Sequence, residues 1–305
     1  MKTFKKKPLR KASAKAQSAM EYLMTYGWAI LIIAVVLGAL FQLGVFNANN
    51  FAPKAPPGAC QVFRPNGPYT TSFINLEGIC SGELPQYVAQ FNGQSSSIEA
   101  QTSVFEGKSF TVSMWIYPTV QNAGHYQLFI ASGQSLAGDK ALLIGTNINT
   151  ADSNYYMAFY GDDIQVPGNV FIPNRWYYIT AEWNNITKVQ ELFLNGTLLA
   201  SRTSTGSLNT GTSVFDIGSG INTAWGGDYF NGQIADVQIY NTSLSANEIQ
   251  ALYLEGIGGA PINLQYLVGW WPLNGNANDY SGNGNNGKAN NVNFVSNWYS
   301  GYTPP

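Results

Sequence analysis

The sequence predicts an all-β jelly-roll sandwich head joined to one long N-terminal α-helix. Three observations predict it. Residues 22–41 are twenty consecutive uncharged and mostly apolar residues, and as a helix they would span roughly 30 Å, the thickness of a bilayer's hydrocarbon core. From about Pro85 onward, short runs rich in β-branched and aromatic residues alternate with Gly, Asn, Ser and Thr, the pattern of many short strands joined by turns. Only 10% of the residues are charged and 14% are aromatic, which suits an extracellular β domain.

The N-terminal element comes first. Residues 1–15 carry seven Lys or Arg and no acid, so this end is expected to stay cytoplasmic while the bulk lies outside. A secretory signal peptide has an apolar region of about 7–15 residues followed by a small-residue cleavage site. Here the apolar run is longer and no such site follows it, so the plain reading is an uncleaved signal anchor. Glu21 points to a different processing event. An acid at the membrane-entry edge of an apolar helix is costly without a partner. Cleavage between Ala16 and Gln17 would make Glu21 the fifth residue, placing a new amino group one helical turn from its carboxylate.

Lys15-Ala16 followed by Gln17-Ser18-Ala19-Met20-Glu21-Tyr22-Leu23 resembles the class III signal peptide of archaeal type IV pilin-like proteins. The resemblance implies that a prepilin peptidase removes leader 1–16. Segment 17–46 is then retained as a transmembrane and filament-core helix, with other pilin-like subunits as partners. That cut removes seven of the fifteen Lys and Arg and none of the seventeen Asp and Glu. The mature formal charge, 8 − 17 = −9, argues against nucleic acid as a partner.

Residues 47–59 hold three prolines and few apolar side chains and read as a stalk, within a linking region 47–84. Cys60 and Cys80 are the chain's two cysteines, and in an oxidising location they predict one disulfide. Two thiols and the single His125 do not make a transition-metal site. Strands are expected within 87–100 and over 110–118, 126–132, 140–146, 155–161, 176–183, 190–201, 214–219 and 233–241, about nine in all. Asn195-Gly196 between apolar runs signals a two-residue hairpin. One short helix is expected after Ser243, with Ser245 as N-cap, Glu248 completing a capping box and Gly256 as its stop. Trp115, Trp176 and Trp183 fall in alternating strands and are expected in the core. Asn185, Asn195 and Asn241 open Asn-x-Ser/Thr sequons and are candidate glycosylation sites.

The stretches "YVAQFNGQSSSIEA", "FTVSMWIYPT", "NRWYYITAEWN", "LFLNGTLLAS", "IGSG" and above all "DYFNGQIADVQIYNTSLSANEIQALY" resemble the laminin G-like, concanavalin A-like jelly roll. The resemblance spans residues 85–256. It implies a module that binds a glycan or a surface protein, often with calcium, and leaves the ligand open. Some glycosidases share the fold, but they need two carboxylates about 5–9 Å apart. No strand carries acids at alternate positions, and Glu182 and Glu191 read as isolated on separate strands, so no catalytic residue is expected. Trp225 and Tyr229, in a Gly-rich loop, are the candidate ligand-binding aromatics.

Residues 266–295 follow the helix that normally ends such a domain, yet resemble the strand and loop that normally begin one. The chain therefore reads as circularly permuted, with 257–305 a linker plus a strand that completes its own sheet or is donated to a neighbouring subunit. Alternation of Val268, Trp270 and Pro272 with Gly269, Trp271 and Leu273 supports that strand. Asp279, Ser281 and Asn283, with Asp236 facing them, form a candidate calcium site by their hard oxygen donors. The alternative is a turn in which Asp279 caps its own backbone. The expectation taken forward is an archaeal cell-surface pilin-like subunit or adhesin with an outward binding head. A membrane-anchored non-polymerising lectin-like protein and a secreted glycosidase are the alternatives.

Overall fold

The computed structural model describes residues 26–38, 61–63, 73–75, 84–119, 125–149, 152–221, 228–300, 302–303 and 305. The chain divides into two compact units, Met1–Ala55 and Pro56–Pro305. In the first, residues 26–38 form helix α1. Its Trp28, Ile30, Leu31, Ile33, Val35 and Leu37 are all about half or more exposed, so it is apolar on every side. The helix expected over 17–46 is thus described for its central thirteen residues, and no helix among the described residues is long and apolar enough to cross a membrane. Ala16, Gln17, Glu21, Cys60, Cys80 and Trp225 lie outside the described residues.

In the second unit, β1 (Gln61–Phe63) and β2 (Phe73–Asn75) make a small antiparallel pair. The body is a sandwich of two antiparallel sheets. One sheet orders β12 (Thr197–Thr203), β11 (Val189–Leu194), β10 (Tyr177–Asn184), β5 (Phe110–Pro118), β14 (Asn231–Tyr240), β3 (Val88–Asn92) and β17 (Asn293–Val295), with β15 (Leu267–Trp271) also on β14. The other orders β16 (Lys288–Asn290), β4 (Ser97–Gln101), β13 (Val214–Ile217), β6 (His125–Gly133), β7 (Ala141–Asn149), β8 (Asp152–Ala158) and β9 (Asp163–Val166). Fifteen strands build the sandwich where the sequence suggests about nine. The 87–100 and 190–201 runs each hold two strands, β3 with β4 and β11 with β12, β15 lies in the tail, and the polar strands β9, β16 and β17 carry too little apolar signal to stand out.

Alternation explains the packing. Phe110, Val112, Met114 and Ile116 of β5 face the inter-sheet core, together with Ile179, Ala181 and Trp183 of β10 and Met157 of β8. Trp115 and Tyr117 face the opposite side, where a second apolar cluster forms with Tyr178, Tyr240, Trp270 and Trp298. Helix α2 (Ala246–Glu255) covers that side, inserting Ile249 and Leu252. Its capping box is formed, with Ser245 Oγ accepting from the Glu248 N–H and the Glu248 carboxylate accepting from the Ser245 N–H, and Gly256 ends it at φ 78°. Asn195 and Gly196, at φ 49° and 74°, make the hairpin between β11 and β12, the left-handed pair that a type I′ turn requires.

The C-terminal segment docks on its own sandwich. β15 pairs with the second half of β14 (Val237↔Trp271), while β3 pairs with the first half (Asn231↔Asn92). Asp236, at φ 52°, marks the register break between the halves. β16 extends one sheet beside β4 and β17 extends the other beside β3. Trp271 and Leu273 enter the inter-sheet core and Trp270 enters the outer cluster, so neighbouring tryptophans serve opposite faces.

Candidate functional site

The two outward faces of the sandwich differ. The outward face of the eight-stranded sheet is capped by α2 and by Trp298 and Tyr302 of the tail. On the seven-stranded sheet, Ile130, Ile144 and Met157 turn inward, while Leu128, Ala131, Tyr156 and Ala158 form a separate cluster on the other side, with Leu143 and Ile221 against it. No helix of the second unit lies on that side among the described residues.

The central positions here are small: Ala131, Gly145 and Ala158 come from three adjacent strands. Leu128 and Ala131 are covered, at 1% and 0% exposed, and the Leu128 side chain lies against Gly145. Tyr126, at the start of β6, is 48% exposed and meets Tyr156 edge to face, with centroids 6.0 Å apart. The described ends of the connection from β13 to β14 reach this face. Ile221 packs on the Leu128 cluster, and the Asp228 carbonyl accepts from the Leu128 N–H at 3.3 Å. This connection carries Trp225 and Tyr229, and Tyr229 is half-buried.

The electrostatics of this face are acidic. Across one register row stand Lys288, Glu99, Asp216, Ala131, Leu143, Ala158 and Asp163. Burial, then the charge of Glu99, pushes the Asp216 carboxyl up to about 6. Burial pushes the Tyr156 phenol well above its ordinary value, and the charges of Asp228, Tyr126 and Asp163 add to it. Aromatic rings beside hydroxyl-accepting carboxylates are the groups that hold a sugar, whose C–H face meets the ring and whose hydroxyls meet the acids. A concavity of about 410 Å³ is lined by Gln134, Asp139, Lys140, Ser207, Asn209 and Thr210. It has no aromatic lining and so offers no stacking platform.

The remaining predicted residues fall as follows. Asp236 is buried; its carboxylate accepts from Trp270 Nε1 at 2.7 Å and from Gln238 Nε2 at 3.0 Å, and burial pushes it up to about 7. Asp279 accepts from the backbone N–H groups of Trp270, Ser281 and Asn285 at 2.8–3.0 Å. Ser281 Oγ accepts from the Asn283 N–H, and Asn283 Nδ2 donates to the carbonyls of Leu267 and Val268. Asp279, Ser281 and Asn283 therefore share one loop. Asp236 is turned to the Trp270 indole instead of to them, and protein donors occupy both carboxylates. No group of three or more acidic, His or Cys side chains fit for a metal exists among the described residues.

One sequence reading needs correction. Glu182 and Glu191 are not isolated, since the register of β10 and β11 sets them directly opposite each other. Burial, then the charge of Glu191, pushes Glu182 up to about 8. Only the pairing register, invisible in the sequence, brings them together. Glu182 is 5% exposed. Thr111 Oγ1, within hydrogen-bonding distance of its carboxylate at 3.4 Å, also bonds to Thr242 and Leu244, while Glu191 Oε1 accepts from Ser201 Oγ. Of the sequon asparagines, Asn241 is exposed, whereas Asn185 Nδ2 donates to the Gly107 carbonyl and Asn195 Oδ1 accepts from the Tyr178 N–H. Trp115, Trp176 and Trp183 are buried. Sequence reasoning missed Tyr126 and Tyr156, because exposure on an alternating strand depends on which face the neighbouring sheet leaves open.

The family model described as the concanavalin A-like lectin/glucanases superfamily matches residues 92–250, just over half of the chain. The chain belongs to the concanavalin A-like lectin/glucanases superfamily. Two solved structures share this superfamily fold with it. One, a candidate carbohydrate-binding protein from Bacteroides ovatus, is 16% identical with a TM-score of 0.52; the match covers 74% of this chain and 66% of that one, just under two thirds. The other, the heptameric SAP-like pentraxin of Limulus polyphemus, is 12% identical with a TM-score of 0.50, over 70% of this chain and 97% of that one. At these identities the likeness is one of fold. No curated protein matches the sequence.

Proposed function

We propose that this chain is a pilin-like subunit or adhesin of an archaeal cell surface whose jelly-roll head binds a glycan outside the membrane. The binding part rests on one observation. The outward face of the seven-stranded sheet carries the half-exposed Tyr126, edge to face with Tyr156, beside acidic groups. The likeness to a candidate carbohydrate-binding protein is consistent with it. The anchoring part rests on the basic leader, Glu21, and a described helix with apolar side chains exposed all round, which calls for lipid or a filament core as cover. Catalysis is not part of the reading, since Glu182 is buried and held through Thr111 to the 242–244 turn. Full-length protein in detergent, applied to an immobilised glycan array, tests the binding function. Saturable binding to a defined set of glycans supports it, and an empty array contradicts it.

A further inference from the structure

The concavity of about 410 Å³ lies at the far end of β6 from Tyr126, where the turns after β6, β8 and β12 meet. Asp139 fastens the three turns together. Its N–H donates to the Phe159 carbonyl at 2.7 Å, and its carbonyl accepts from the Asn209 N–H at 2.8 Å. Gln134 Nε2 adds a bond to the Gly211 carbonyl at 2.6 Å. The Asp139 carboxylate packs on the backbone of Gly206, with Oδ1 buried. Walls held in this way present their polar groups without further ordering. Residues 84–305 carry six Lys and Arg against fourteen Asp and Glu, but at this cavity the balance reverses. Lys140 lines it, Lys188 reaches the same wall by donating to Ser207 Oγ, and Asp139 is the lining acid. Among the described residues the ion pair is Arg202–Asp162, so neither lysine has an acid partner. Lys188 is fixed by Asn185 Oδ1 as well as by Ser207, whereas Lys140 is exposed and its ammonium bonds to no described group. Asn209 Oδ1 is taken by the Gly211 N–H at 3.1 Å, which leaves the amide N–H groups of Asn209 as donors.

We propose that this cavity binds a carboxylated sugar, its carboxylate paired with Lys140 and Asn209 and its hydroxyls accepted by Asp139 and Gln134. A charge-assisted bond to Lys140 is the strong contact here, and it stands in for the ring stacking that the cavity lacks. An uncharged sugar gains little from two lysine charges. A bare anion has no hydroxyls for Asp139 and Gln134, and meets the Asp139 charge without that compensation. The site is about 26 Å along β6 from Tyr126, and it does not depend on the sheet face proposed above.

The test applies full-length protein in detergent to a panel of uronic and sialic oligosaccharides, to the carboxyl-reduced form of each, and to inorganic sulfate as competitor. The variants are Lys140→Gln, Lys140→Arg and Tyr126→Ala. The expected result is binding of carboxylated probes at least tenfold tighter than of their reduced forms, weakening as salt is raised. Lys140→Gln should lose roughly tenfold or more, as for one charged hydrogen bond, with an unchanged melting temperature because its ammonium has no protein partner. Lys140→Arg should keep most of the affinity, and Tyr126→Ala should leave it as in the wild type. No binding of any carboxylated probe, equal binding of the reduced forms, or wild-type affinity in Lys140→Gln overturns the inference. Displacement by millimolar sulfate as effective as by the carboxylated sugar itself overturns the sugar part of it. Loss of this binding in Tyr126→Ala alone overturns the placement and leaves the sheet-face function standing.

Discussion

The indole N–H of Trp298 donates to the carbonyl of Pro85 at 3.0 Å, joining residues 213 apart in sequence. The Trp298 carbonyl in turn accepts from Trp176 Nε1 at 3.1 Å, and its ring meets Trp176 and Tyr302 edge-on. Both ends of the head are thus tied to the outer cluster. Trp298→Ala is expected to lower unfolding free energy by about 3–5 kcal/mol, the range for deleting a large buried aromatic. Denaturant unfolding of the chain measures it; a loss under 1 kcal/mol would show that the tail does not clasp the head.

Buried carboxyls set a pH dependence. Glu182 stands at about 8 against an ordinary 4.5, and Asp236 at about 7 against 3.8. The folded state holds protons that the unfolded chain releases, so these groups reduce stability as pH rises from about 4 to 8. Asp162 and Glu248 are shifted the other way. Burial raises Asp162, but hydrogen bonds from Ser204, Gly206 and Thr205 and the charge of Arg202 outweigh it, while Ser245 holds Glu248 down. Their contribution fades only below about pH 4. The head should therefore be more stable at pH 5 than at pH 8, by on the order of 2–4 kcal/mol. Glu182→Gln should stabilise it at pH 8 and flatten the profile. Melting curves between pH 5 and 8.5 decide, and a rise in stability with pH would contradict the assignment.

Asp279 closes its loop with three backbone donors. Asp279→Ala should cost about 1–3 kcal/mol, as for buried N–H groups left unpaired, and the cost should be the same in calcium and in chelator. A calcium-dependent rise in the wild-type melting temperature would show that an ion displaces these donors.

The sandwich, the tight turn at Asn195-Gly196 and the Ser245–Glu248 cap were legible because each depends on local chemistry: alternation, left-handed backbone and capping. The alternation across Val268–Leu273 pointed to a strand, and β15 occupies Leu267–Trp271. The site was less legible. Tyr229 was noticed from its Gly-rich setting, but Tyr126 and Tyr156 look like any strand tyrosines until the covered face is known. The facing of Glu182 and Glu191 depends on register, which no single strand encodes.

Processing is tested at the N-terminus. The mature chain from its native cell should begin at Gln17, by the basic leader and the Glu21 spacing. Glu21→Val should leave that cleavage intact and impair assembly, because the new amine then lacks its partner in an apolar setting. A chain beginning at Met1 would contradict the pilin-like part of the account.

The central claim is that the aromatic face of the seven-stranded sheet, at Tyr126, binds sugar. Tyr126 is half-exposed and meets Tyr156 edge to face, so its loss should affect binding more than folding. The direct measurement is the affinity of Tyr126→Ala for a glycan that the wild type binds, by calorimetric titration, beside its melting curve. The account predicts a loss of roughly tenfold or more, as for removal of an exposed aromatic anchor, with a shift in melting temperature of no more than a few degrees. Wild-type affinity in a folded Tyr126→Ala protein would contradict it.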